Sequence, residues 1–274
     1  MAPLKSARDR KAREKHQQHL APLLRGEVAA KRRVRGLLFI EEHMNIDILP
    51  DTDSAARRAA AIIADAARVA VSARGKFVFA VSGGTTPWQM LRHLSGEDVP
   101  WSAIHIAQVD ERAAPDGHPD RNLTHLRESL LTHASINPEQ ILAMPVTVAD
   151  LATGAKSYAQ TLGAIAGSPI VLDLVHLGLG PDGHTASLVP GDPVLDITDR
   201  DVAVTGEYQG HRRMTLTYPA LNRARKVLWL VTGAGKTGML VRLKAADQSI
   251  PAGRVRQDNA VVVADKDAAS QLGF

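Results

Sequence analysis

From residue 44 onward, short runs of apolar, often β-branched residues alternate with longer stretches in which apolar positions recur every three or four residues. The short runs, at 77–82, 104–109, 170–177, 227–231 and 260–264, contain few polar positions and are bounded by charge, Gly or Pro. That is the pattern of strands buried on both faces. The longer stretches read as helices. One runs from a cap at Asp53-Ser54 to residue 73, with Ala56, Ala60, Ile63, Ala67 and Val71 on one stripe, and others lie at 86–94, 122–133, 149–166 and 235–246. Strands alternating with helices predict an α/β fold class: a doubly wound, mostly parallel sheet with helices on both faces. No tandem repeat and no Pro/Gly-rich linker interrupts the chain after residue 50, so residues 44–274 are expected to form a single domain.

Open sheets of this kind bind ligands beyond the carboxyl ends of their strands. Three predicted strands run there into polar or glycine-rich chemistry, and the first enters Ser82-Gly83-Gly84-Thr85-Thr86-Pro87. Glycines that let an anion approach, hydroxyls and the amides of a helix start together suit a phosphate. An ordinary capped turn is the plainer reading of the same residues. The Lys-Ser/Thr ending of a nucleotide-binding P-loop is absent.

The second strand ends in Asp110-Glu111-Arg112, which puts charge on the same rim, with Arg112 expected to neutralise a carboxylate. The alternative is a solvated strand end with an ion pair of small value. The third strand enters Gly178-Leu179-Gly180-Pro181-Asp182-Gly183-His184. Its glycines match the dinucleotide pattern, and Asp199 lies near the distance of a ribose-binding acid. Pro190, Gly191 and Pro193, however, interrupt the helix that such glycines must open. What remains is Asp182 two residues before His184 on a tight turn, where a carboxylate can orient an imidazole for proton transfer, or else a surface histidine. Further on, Arg212-Arg213-Met214-Thr215-Leu216-Thr217 alternates as a half-buried strand and could aim Arg213 at an anion. Lys236 opens a helix, where positive charge is disfavoured unless an anion joins it.

Charge changes the picture only at one end. Residues 1–43 carry eleven Lys/Arg against five Asp/Glu, whereas the whole chain is only +4, so the body is slightly acidic. No nucleic-acid partner is expected for the body. A nucleic-acid reading would rest on the run Lys31-Arg32-Arg33-Val34-Arg35 alone, and residues 1–43 are expected to be a basic, disordered extension. The absence of cysteine excludes disulfides, a thiol nucleophile and thiolate metal sites. His118, His125 and His133 form no H-E-x-x-H arrangement, and no metal or other cofactor is expected. No apolar run approaches the roughly 20 residues of a membrane span, so no membrane partner is expected and a cytoplasmic location fits. Ser187 has no G-x-S-x-G elbow around it, which makes covalent serine chemistry the weaker mechanism.

Taken in order, these motifs resemble the 6-phosphogluconolactonase family over nearly all of residues 48–272. The resemblance is carried by Ser82 to Pro87, Asp110-Glu111-Arg112, the run from Gly178 through Thr185-Ala186-Ser187-Leu188-Val189-Pro190-Gly191, and Arg213 to Thr217. It continues through Gly233-Ala234-Gly235-Lys236, Ile250-Pro251-Ala252 and Asp265-Lys266-Asp267-Ala268-Ala269. One departure is Arg121-Asn122, where a Ser-Asn pair is usual. The resemblance implies hydrolysis of a phosphosugar lactone by a monomer or homodimer. His184 and Asp182 would be the catalytic pair. Substrate would be bound by Ser82, Gly83, Gly84, Thr85, Thr86, Asp110, Arg112, Arg213 and Lys236. Glucosamine-6-phosphate deaminases share the phosphate loop and the Asp-Gly-His turn, but their pattern carries a glutamate where this chain has Val189.

Overall fold

Seven apolar runs lie side by side, every pairing parallel. In chain order the elements are β1 (Asn45–Leu49), α1 (Thr52–Arg74), β2 (Phe77–Val81), α2 (Thr85–Leu94), β3 (Ile104–Gln108), β4 (Asp110–Arg112), α3 (Asn122–Leu126), β5 (Ile141–Leu142), α4 (Leu151–Ala166), β6 (Leu174–Leu177), β7 (Val202–Tyr208), β8 (His211–Leu216), α5 (Tyr218–Arg223), β9 (Val227–Val231), α6 (Thr237–Lys244) and β10 (Ala260–Asp265). The large sheet has the order β1-β10-β9-β6-β2-β3-β5. This computed structural model describes residues 44–273, and the expected basic extension lies outside the described residues. Among them no helix is long and apolar enough to cross a membrane.

Strand alternation divides the core between the two faces of the sheet. Phe77, Phe79 and Val81 of β2 pack with the alanine stripe of α1 and with Met90, Leu91 and Leu94 of α2, while Val78 and Ala80 pack with Tyr158 and Leu162 of α4 and Leu240 and Leu243 of α6. Ala55, Ala56, Ala59 and Ala60 are fully buried, so α1 lies close to the sheet, and a larger side chain there would cost about 1–3 kcal/mol through overpacking. The cap lies two residues earlier than expected. Asp51, in an extended conformation, accepts from Ser54 N at 2.7 Å, so Asp51 rather than Asp53-Ser54 is the cap.

One further expectation is corrected, and one alternative is ruled out. The strand expected at 170–177 begins only at Leu174, because Asp173 turns its carboxylate to Val78 N (2.9 Å) and the preceding residues stay irregular. The triplet Asp110 to Arg112 is not a solvated strand end. It forms β4, the edge of a second, antiparallel sheet of order β4-β8-β7 that stands at the carboxyl end of β3. Val109 N donates to Val81 O and Leu216 N to Val109 O, which stitches the two sheets together.

The switch point follows from the strand order. From β2 the chain proceeds outward through β3 and β5 on one side, while β6, β9 and β10 lie on the other. The loops leaving β2 and β6 therefore diverge and leave a crevice between them.

Candidate active site

That crevice is an open cleft of about 380 Å³, and the loops after β2, β6 and β9 meet the antiparallel sheet around it. Ser82, Gly83, Gly84, Thr85, Thr86, Asp110, Arg112, His184, Arg213 and Lys236 all line it. Asp182 stands behind His184 rather than on the wall.

The β2 loop is tied down from below. Ser82 N donates to His176 Nδ1 (3.3 Å) and Ser82 Oγ to His176 O (3.1 Å) on the neighbouring strand. His176 is fully buried, and burial lowers its pKa to about 3, so it is a neutral acceptor at Nδ1. Thr86 Oγ1 meets Thr232 Oγ1 at 2.8 Å, which fixes the start of α2 to the end of β9. Gly84 caps α2 without a side chain, so the first-turn amides open on the cleft. A Cβ at Gly83 would collide with Asn122 Oδ1. Glycine is required there by close approach.

The β6 loop folds back on itself through Gly180 N to His184 O (2.8 Å) and Gly183 N to Gly180 O (3.1 Å). Gly180 has no side chain because the His184 ring fills that space. Asp182 Oδ1 accepts from His184 N (3.1 Å) and contacts His184 Nδ1 at 2.6 Å. The proton thus belongs on Nδ1, leaving the Nε2 lone pair as a base. Burial acts to raise the Asp182 pKa, but the hydrogen bonds and charge of His184 outweigh it, and the carboxyl sits below its ordinary value. It is ionised at neutral pH and able to stabilise an imidazolium.

Two cations share the cleft with this pair. Arg213, on β8, is 3% exposed, and its Nε finds no acceptor. Burial lowers its pKa, opposed chiefly by the Asp110 charge. Burial likewise lowers Lys236, opposed by Asp182. Desolvated cations whose donors are not saturated favour an anion in the cleft.

Alternation along β4 sends Asp110 and Arg112 into the cleft and Glu111 away from it. Arg112 favours the charged forms of Asp110 and Asp120 through its field rather than by hydrogen bonds to their carboxylates. It donates to Asp120 O (2.6 Å) and Asn122 Oδ1 (3.4 Å), while Glu111 pairs with Arg121 at 3.1 Å, both buried. Ser187 is buried, with Oγ donating to Asp110 Oδ2 (2.6 Å), a supporting contact rather than a nucleophile beside a base. Asp199 is exposed and bound to its neighbour Arg200, well suited to solvent and not to a ribose. Asn122, Thr232 and Ala186 are cleft residues that the sequence reading did not single out. Only the doublet Arg121-Asn122 at a predicted helix start offered a hint of the first. Among the described residues no group of three or more His, Asp or Glu is placed to hold a metal ion.

The chain as a whole, rather than the cleft alone, can be set beside known proteins. The sequence pattern described as glucosamine-6-phosphate isomerases/6-phosphogluconolactonase matches residues 50–264. A 6-phosphogluconolactonase of Synechocystis is 35% identical over 235 residues, covering 83% of this chain and 98% of the relative. One from Mycobacterium tuberculosis is 38% identical over 242 residues, again covering 83% and 98%. The solved structure of 6-phosphogluconolactonase from Trypanosoma brucei superposes with a TM-score of 0.75 at 25% identity, covering 84% of this chain and 99% of that one. The chain belongs to the glucosamine-6-phosphate isomerase/6-phosphogluconolactonase family.

Proposed function

We propose that this enzyme is a lactonase that hydrolyses 6-phospho-D-glucono-1,5-lactone to 6-phospho-D-gluconate, the lactone-opening step of the oxidative pentose phosphate pathway. The observation that carries the reading is the 2.6 Å contact between Asp182 and His184 Nδ1 in the same cleft as Arg213 and Lys236. Relatives matched over 98% of their own length bear the 6-phosphogluconolactonase name, which supports this substrate over an amino sugar phosphate.

His184 Nε2 takes a proton from water as the water oxygen attacks the lactone carbonyl carbon. The carbonyl oxygen becomes the oxyanion of a tetrahedral intermediate. Collapse breaks the bond between that carbon and the ring oxygen. The imidazolium, held by Asp182, returns its proton to the departing ring oxygen, leaving a hydroxyl and a carboxylic acid that then ionises. Asp182 needs no proton transfer of its own; it holds the ring and its charge.

The phosphate is assigned to the amides and hydroxyls of Gly83 to Thr86 together with Arg213 and Lys236. Asp110 and Arg112 are assigned to the sugar hydroxyls and to ordering the wall. Arg213→Ala should lower kcat/KM by roughly 10- to 150-fold, mostly through KM, since a charge-assisted hydrogen bond contributes about 1.5–3 kcal/mol. The direct test compares three substrates above their spontaneous rates. Rapid turnover of the phosphorylated lactone, slow turnover of gluconolactone and no ammonia release from glucosamine 6-phosphate are expected. Equal efficiency toward both lactones would remove the phosphate site, and ammonia release would move the chain to deaminase chemistry.

A further inference from the structure

The geometry points to Tyr208 as a positioning residue that sets His184 and Arg213 relative to one another, and so fixes the spacing between the carbonyl and phosphate ends of the substrate. The inference rests on the roles given above to His184 and Arg213.

Tyr208 is the last residue of β7, and Tyr208 pairs with His211 across a two-residue hairpin turn. Both turn residues have positive φ, 52° at Gln209 and 77° at Gly210. That is the backbone of a tight hairpin whose twist matches its strands, and it determines where the Tyr208 ring points. Four contacts leave this one residue. The guanidinium of Arg213 lies over its ring, 4.9 Å from the centroid. The His184 ring meets it edge to face at 5.7 Å. Its hydroxyl is 3.5 Å from Asp182 Oδ2, the carboxylate oxygen that does not hold His184. Its carbonyl is 3.5 Å from Arg213 Nη2, which also donates to Gln209 Oε1 at 3.1 Å.

A flat ring between an imidazole and a guanidinium acts as a spacer of fixed thickness. Its electron-rich face holds Arg213 in one orientation, and its edge-to-face contact with the imidazole limits rotation of His184. Arg213 has rotatable bonds that would otherwise let the guanidinium wander, and ordering it before substrate arrives removes that cost from binding. Tyr208 is not part of the cleft wall, so it acts through these two side chains rather than on substrate.

The test is Tyr208→Leu, with Tyr208→Phe as the conservative partner, assayed on the phosphorylated lactone and on gluconolactone. Loss of the ring should raise KM for the phosphorylated lactone by roughly 10-fold while leaving KM for gluconolactone within about twofold, because only the first uses Arg213. It should lower kcat a few-fold on both. Phe, which keeps the ring and loses only the long hydroxyl contact, should restore most of the KM. A drop in kcat alone at unchanged KM would overturn the proposal, since partial unfolding gives that result. Failure of Phe to restore KM would also overturn it and would assign the effect to the Asp182 contact. If Tyr208→Leu does not fold, Tyr208→Gln removes the ring with a side chain compatible with solvent and is read the same way. A wild-type enzyme with no preference between the lactones would count against the phosphate assignment, a result distinct from failure of the Tyr208 variants.

Discussion

Asp110 and Glu111 are adjacent on β4, yet they enter regions of opposite character. The Glu111 side is a saturated clamp. Its carboxylate accepts from Gln108 Nε2 (2.8 Å), Arg112 N (2.9 Å), Asn122 N (2.8 Å) and Leu123 N (2.8 Å), and Arg121 lies alongside at 3.1 Å. A buried charge so fully paired anchors the start of α3 and the wall that Asn122 builds. The Asp110 side is the cleft, where the carboxylate has Ser187 Oγ at 2.6 Å and Asn122 Nδ2 at 3.4 Å. Burial raises its pKa, only partly opposed by Ser187 and Arg213. One strand thus uses one face to hold structure together and the other to present groups that are under-solvated for a ligand. A buried clamp and a cleft wall are separated by a single residue step.

Substitutions should separate the two faces, and the largest effect should fall on the clamp. Glu111→Ala leaves Arg121 as a buried charge and four donors without an acceptor, so it should destabilise the fold by about 3–5 kcal/mol in denaturant unfolding. A smaller effect is expected for Arg121→Met. Glu111 keeps its four donors there, and the loss should be about 1–3 kcal/mol, with kcat/KM falling only as far as Asn122 and Arg112 shift. Equal and small losses for both would mean that the pair is a passenger rather than the support of this wall.

Asp110→Asn should act in the other direction. Because the folded pKa lies above the ordinary 3.8, the native state retains a proton that the unfolded chain releases as pH rises through that window. Stability contributed by the neutral form is therefore present below the unfolded value and lost as pH rises toward the folded one. Asparagine cannot ionise, so the variant should melt higher than wild type at neutral pH. This advantage should disappear at about pH 4, while activity falls. A variant less stable than wild type at neutral pH would show that the Asp110 charge is paired as well as that of Glu111.

The contrast between the faces also marks what the sequence could tell. Five of the seven parallel strands were legible, because a run such as Phe77–Val81 is fully buried and short. The Ser82 to Pro87 loop and the Asp182-Gly183-His184 turn were legible as loops beside one cleft because glycine, hydroxyl and imidazole are close together in the chain. β4 was not read as a strand: three charged residues resemble solvent-facing residues until β8 covers them. Glu111 and Arg121 are ten residues apart, and nothing local announces that both are buried. Tyr208 was invisible for a different reason. Its placement depends on a left-handed Gln209, which composition does not signal.

The most direct measurement of the central claim is turnover by His184→Ala on 6-phosphogluconolactone, corrected for spontaneous hydrolysis, alongside its KM. With the base gone and the phosphate grip intact, kcat should fall by roughly 10²- to 10⁴-fold while KM stays within a few-fold of wild type. Turnover equal to that of wild type in the folded variant would contradict the account, because no other group in the cleft has been given the proton.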